Sequence, residues 1–193
     1  MGADASGHPA GILHHCRGTW HTGSVDSLGK PVLAVLGAST ATPAEETAAE
    51  AVGRAAARRG WVVLTGGGPG VMAAASRGAV EAGGLTVGIL PGTGPAPGYP
   101  NPWVVIPLFT GLGIARNALN VTAAGLVVAV GGAAGTLSEV ALAAKLGRQV
   151  LWLHPWTLRP PEPGRDPGIR HFHHLDGLLP ALEAALEARD GRT

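Results

Sequence analysis

Residues 124–147 read AGLVVAVGGAAGTLSEVALAAKLG. The first seven are apolar, as in a strand buried on both faces. GGAAGT (131–136) is a glycine turn, with Thr136 at the start of a helix. LSEVALAAKLG (137–147) has the apolar spacing of that helix and stops at a glycine. Strand, glycine turn and helix make half of a βαβ unit, so the flanking sequence decides whether the chain repeats it.

It does. Upstream, PVLAVLG (31–37) is a short apolar strand, and Thr42-Pro43-Ala44-Glu45 is a capping box with Pro at the first helical position. The helix it opens runs to about Arg59 and stops at Gly60. WVVLT (61–65) is a second strand, and GGGPG (66–70) leads into the helix VMAAASRGAVEAG (71–83). LTVGIL (85–90) is a third strand, 91–102 a Gly/Pro loop and WVVIP (103–107) a fourth strand. A helix over about 112–122 precedes the fifth strand at 124–130. QVLWL (149–153) is the sixth, 154–174 reads as irregular, and LDGLLPALEAALEA (175–188) is an amphipathic helix. Strands alternating with helices predict an α/β fold: a doubly wound, Rossmann-like parallel sheet with helices on both faces. Residues 1–29 read as a polar, irregular lead, and 30–193 as one nucleotide-binding domain with a C-terminal helix.

Composition narrows the function. Charged residues are 14% of the 193, against a usual share of about 25%. The formal charge is +1, which gives no polybasic face for nucleic acid. Residues 117–138 carry no charge, but Asn117, Asn120 and several glycines interrupt them, and a membrane span needs about 20 predominantly apolar residues. The lead lacks the apolar stretch of a signal peptide, and Cys16 is the only cysteine, so no intrachain disulfide forms. These features predict a cytoplasmic protein with no membrane partner.

Ligands of such sheets bind at the carboxyl ends of the strands. Two glycine loops lie there, Gly66-Gly67-Gly68-Pro69-Gly70 and Gly131-Gly132-Ala-Ala-Gly135-Thr136, beside Gly37-Ala-Ser39. Glycine lets an anion approach the backbone, and a helix N-terminus favours phosphate. The plainer alternative is a tight strand-to-helix turn. The dinucleotide fingerprint fails at Val71, and the G-x-x-x-x-G-K-[ST] phosphate loop is absent.

From Trp61 to Leu158 the charges are Arg77, Glu81, Arg116, Glu139, Lys145 and Arg148. Arg77 and Glu81 read as an exposed i,i+4 pair, and Lys145 with Arg148 suit a helix C-terminus. Arg116 and Glu139 remain, and both fall at the ligand edge. Glu139 also fits a capping box with Thr136, and the two charges can form a structural ion pair. His14, His15, Cys16 and His21, and His171, His173, His174 and Asp176, match no closed zinc site and read as solvated loops, so no metal is expected.

The run Gly66–Met72, then Ala-Arg116-Asn117, then Gly131-Gly132-Ala-Ala-Gly135-Thr136-Leu-Ser-Glu139 resembles the LOG-like superfamily, over about residues 31–153. That group includes the Lonely Guy phosphoribohydrolases and the molybdenum cofactor carrier proteins. The resemblance implies catalytic roles for Arg116 and Glu139 in cleaving the N-glycosidic bond of a nucleoside 5′-monophosphate. It implies a phosphate turn at Gly132, Gly135 and Thr136, and binding roles for Gly37, Ser39, Gly66, Gly67, Gly68, Gly70, Met72, Asn117 and Gly131. No cofactor is required for that chemistry, and a homodimer or homotetramer is expected. The alternative it implies is a non-catalytic carrier of the molybdenum cofactor, a phosphorylated pterin, or a nucleotide-binding protein. Val130 stands where Lonely Guy enzymes carry a proline, and Gly-Ile-Ala-Arg116-Asn117 where they carry a charged stretch. GILPGTGP (88–95) and GLGIARN (111–117) look more like the carrier branch.

Overall fold

The computed structural model describes residues 29–156 and 168–190. Within them, β1 (Val32–Gly37), α1 (Pro43–Arg58), β2 (Val62–Thr65), α2 (Val71–Glu81), β3 (Thr86–Leu90) and β4 (Ile106–Phe109) follow in order. A 3-10 turn, Gly113–Arg116, runs into α3 (Asn117–Thr122). Then come β5 (Leu126–Val130), α4 (Ala134–Lys145), β6 (Gln149–Leu153), β7 (Ile169–Phe172) and α5 (Leu175–Asp190). All strands are parallel, in the order β4-β3-β2-β1-β5-β6-β7. The expected doubly wound α/β sheet is what the chain forms.

Alternation along β1 shows how the faces divide. Leu33 and Val35 pack with α1, α2 and α5, while Ala34 and Leu36 pack with α3 and α4. Helices cover both faces, so the central strands are buried throughout and need no polar side. The capping box of α1 forms as read: Glu45 N–H donates to Thr42 Oγ1, and Thr42 N–H donates to Glu45 Oε2 at 2.8 Å.

Four expectations are corrected. The fourth strand is Ile106–Phe109, not 103–107. Thr86 is the cause: its hydroxyl donates to Trp103 O and accepts from Val105 N–H, replacing a ladder over that stretch. A seventh strand, Ile169–Phe172, lies inside the segment read as irregular and pairs with β6. Its Ile169 and Phe172 pack against opposite faces of the core, and His171 meets Trp152 edge-on at 6.0 Å. Arg77 and Glu81 do not pair with each other. Arg77 binds Glu50 and Arg54 binds both Glu50 and Glu81, so the ion pairs tie α1 to α2. Lastly, α4 begins at Ala134 with Ala133 as its cap, so Thr136 is inside the helix and Glu139 lies in its second turn. The lead, residues 1–28, with His14, His15, Cys16 and His21, lies outside the described residues.

Candidate functional site

β1 and β5 lie side by side, with Gly37 opposite Val130. The chain leaves β1 for α1 on one face and leaves β5 for α4 on the other. This is the topological switch point, where a crevice opens beyond the strand ends. A cleft of about 260 Å³ lies there.

Of the residues singled out from the sequence, Gly37, Ser39, Gly66, Met72, Arg116, Asn117, Gly135, Thr136 and Glu139 line this cleft. Gly67, Gly68, Gly70, Gly131 and Gly132 do not. Their want of a side chain is explained by protein neighbours. Gly67 faces Leu90, Gly68 faces Tyr99 and Met72, and Gly70 abuts the carbonyls of Ala38 and Ser39. Gly132, at φ 111°, turns the chain in a conformation that side chains rarely adopt, and packs on Thr136. These five shape the walls from behind.

Two indoles hold the turn after β5. Trp152 Nε1 donates to Gly131 O, and Trp156 Nε1 donates to Gly132 O, each at 2.9 Å. Among the described residues no side chain caps α4. Its first-turn N–H groups and the positive end of its dipole therefore remain for an anion at the cleft wall made by Ala133, Gly135 and Thr136.

Glu139 sits deeper, only 7% exposed. Asn120 Nδ2 donates to its Oε1 at 2.6 Å. Burial pushes the Glu139 carboxyl above its usual range, while the Asn120 hydrogen bond and the charge of Arg116 pull it back. Among the described residues Arg116 has no carboxylate at ion-pair distance, so it acts on Glu139 through space rather than as a salt bridge. Its guanidinium packs over Gly66. One cation and one shielded carboxyl thus share a cleft with apolar sides from Met72, Pro91, Tyr99 and Ile114.

Asn120 and Tyr99 were not singled out from the sequence. Asn120 had a signal: it stands four residues beyond Arg116 and so shares its helix face. Tyr99 had none beyond being the only tyrosine, in a Gly/Pro loop. Among the described residues no three His, Cys, Asp or Glu side chains gather to hold a metal, and no helix is long and apolar enough to cross a membrane.

The model of the SLOG cluster4 family matches residues 30–168, which contain every described strand but β7. The chain belongs to the SLOG cluster4 family. This agrees with the LOG-like resemblance carried by the glycine turns. The chain is similar to the molybdenum cofactor binding protein from Rippkaea orientalis, at 45% identity and a TM-score of 0.62, over 65% of this chain and 77% of that one. It is similar to the molybdenum cofactor carrier protein from Chlamydomonas reinhardtii, at 33% identity and a TM-score of 0.67, over 85% of this chain and 100% of that one. An uncharacterized protein from Archaeoglobus fulgidus is 37% identical over 123 residues, which are 64% of this chain and 80% of that one.

Proposed function

We propose that the cleft binds a phosphorylated pterin and that the protein is a carrier of the molybdenum cofactor. The observation that carries this reading is the likeness to two molybdenum cofactor proteins, one of them along its whole length. The site is chemically suited to such a cargo. The phosphate would meet the uncapped start of α4 at Gly135 and Thr136, with Arg116 as counter-charge. The flat ring would lie between the apolar side chains of Met72, Tyr99 and Ile114. The binding unit is residues 30–193, working in the cytoplasm as a homo-oligomer, with no nucleic-acid partner at a formal charge of +1.

A second reading is favoured by one observation: Arg116 and Glu139 line the same cleft. In a phosphoribohydrolase, water adds to the anomeric carbon of a nucleoside 5′-monophosphate and the base leaves with a proton. The ribose gains positive charge in the transition state, which an ionised Glu139 would stabilise. Arg116 would hold the phosphate or the departing base. Burial of Glu139 opposes that role by favouring its neutral form.

Incubation with AMP, GMP and CMP, with chromatography for free base, separates the two. For the carrier, wild type and Glu139→Gln release base at the same background rate, and purified protein shows pterin fluorescence after oxidation. Base release by wild type that falls about 10²-fold or more in Glu139→Gln would establish the hydrolase instead.

A further inference from the structure

Trp156 follows β6 and is 42% exposed, whereas Trp152 within that strand is wholly buried. A half-exposed indole adds little to a core, yet its Nε1 donates to Gly132 O in the turn after β5. Between the strand and this contact the chain bends at His154, which has φ 53°. No other described residue with a side chain has a positive φ. Such backbone is strained and persists only where the surroundings fix it, here through His154 N–H donating to Phe172 O at 2.8 Å. Strain of this kind collects at functional sites, and the turn that Trp156 reaches is the one that opens α4.

The peptide joining Gly132 to Ala133 is trans, since the cis bond among the described residues is Tyr99–Pro100. In a trans peptide the C=O and the N–H point in opposite directions. With Gly132 O turned to the indole, Ala133 N–H is turned away from it. Among the described residues that N–H meets no acceptor, and Ala133 lines the cleft whereas Trp156 does not. The N–H groups of Ala134, Gly135 and Thr136 follow it, also without acceptors, at the open start of α4. The ends of the turn are fixed: Gly131 N–H donates to Leu153 O, and Ala133 O accepts from Leu137 N–H. The tilt of the peptide between them is not. Gly132 has no side chain to restrict ψ, and Ala133, at φ −105°, sits mid-way in the broad extended range of about −60 to −160°. Trp156 is what holds it.

We infer that Trp156 is a positioning residue for the phosphate of the bound ligand. It holds the Gly132 carbonyl back and so keeps the Ala133 N–H aimed at that phosphate. The inference rests on a phosphate at the start of α4, which the carrier and hydrolase readings share, and it is independent of the choice between them. A donor aligned before the anion arrives needs no reorganisation on binding. Left free, the peptide would swing, and its N–H would meet the anion at a poor angle. The hold acts through the indole N–H, so an aromatic ring without that donor does not replace it.

The test is an amide NMR titration of the full, isotope-labelled chain. The probes are AMP and 6-hydroxymethylpterin monophosphate, each beside its dephosphorylated form, adenosine or 6-hydroxymethylpterin. In wild type the Ala133 amide proton should move downfield with a phosphate ester and stay in place with the dephosphorylated form. Trp156→Phe keeps an aromatic ring and removes the donor, and the indole signal that it deletes identifies Trp156. The variant should bind the ester about fivefold or more weakly, as expected for one aligned hydrogen bond, and the dephosphorylated form within about twofold of wild type. Its Ala133 shift should shrink as well. Equal weakening of both forms would mean a packing role and overturn the inference, and so would unchanged affinity for the ester. An Ala133 amide that ignores the ester in wild type, while Gly135 or Thr136 responds, would overturn it without need of a variant and leave the phosphate site intact. If no phosphate ester moves any amide of the cleft, the inference fails together with both readings.

Discussion

The guanidinium of Arg116 lies over Gly66, in the space where a side chain at that position would begin. A turn after β2 and a residue before α3 are thereby coupled at the cleft wall. Because the guanidinium is the far end of a flexible side chain, it can give way. Gly66→Ala should therefore keep its stability within about 1 kcal/mol of wild type, while pushing Arg116 out of place. Affinity for a phosphate-bearing ligand should fall about tenfold, towards that of Arg116→Ala, since a charge-assisted contact is lost in both. Melting monitored by circular dichroism and ligand titration check the two halves. Wild-type affinity in Gly66→Ala would show that Gly66 does not position Arg116.

Gly53 meets a different neighbour. A Cβ there would collide with the backbone carbonyl of Ala75 on α2, and one at Gly78 would collide with the carbonyl of Glu50 on α1. The two helices approach through these glycines, and backbone does not step aside as a guanidinium does. Replacing glycine by alanine in a helix gains about 1 kcal/mol of propensity. Forcing the helices apart costs about 1–3 kcal/mol, so Gly53→Ala should be a net loss, read as a lower urea midpoint. A raised midpoint would mean that the helices separate freely.

The same close approach explains one place where the sequence misleads. Arg77 has Glu81 one helical turn away, but tight packing of α1 on α2 brings Glu50 into reach, and the cross-helix pair forms instead. Local spacing carries no knowledge of such neighbours. It serves well where a signal is local: the Thr42–Glu45 capping box, the buried runs of β1, β5 and β6, and the glycine turn after β5. It fails where a side chain from elsewhere decides. Thr86 displaces the start of β4, and the indoles of Trp152 and Trp156 hold the turn before α4, where Thr136-x-x-Glu139 resembles a cap. β7 escapes because two of its four residues are polar and exposed at a sheet edge. In the site, charges stand out in a nearly uncharged region, while Asn120 passes as an ordinary helix residue.

Self-association is expected from the surface of the β4 edge. The alanine-rich stretches of α2 and α4 do not supply it, because Ala74, Ala75 and Ala143 are buried in the chain's own core. Six of the nine exposed large apolar residues among the described ones cluster at the β4 edge instead: Val105, Ile106, Leu108, Phe109, Leu112 and Ile114, the last 78% exposed. They surround β4, whose outer side pairs with no other strand among the described residues, and such edges and patches mark interaction surfaces. Light scattering at micromolar concentration should give a dimer or larger. Leu108→Lys, with Ile114→Lys, should shift it towards monomer. A monomeric wild type would remove the expectation.

Burial of Glu139 has a signature in the pH dependence of stability. Its carboxyl stands above the ordinary value of 4.5, chiefly because the charged form is desolvated in the fold. Well below 4.5 the group is protonated in both folded and unfolded chains and costs nothing. As pH rises past 4.5 the unfolded chain releases the proton first, while the folded chain keeps it until its own higher pKa. The folded state then binds more protons, so this group's contribution to stability falls across that window and levels off above it. Glu139→Gln has no proton to lose. Its stability minus that of wild type should therefore climb with pH from about 4.5 and then flatten, whatever constant offset the amide introduces. Urea unfolding of both proteins between pH 4 and 8 measures the difference. A value that falls with pH would mean that Arg116 and Asn120 outweigh burial, leaving an ionised carboxylate ready beside the ligand and strengthening the hydrolase reading.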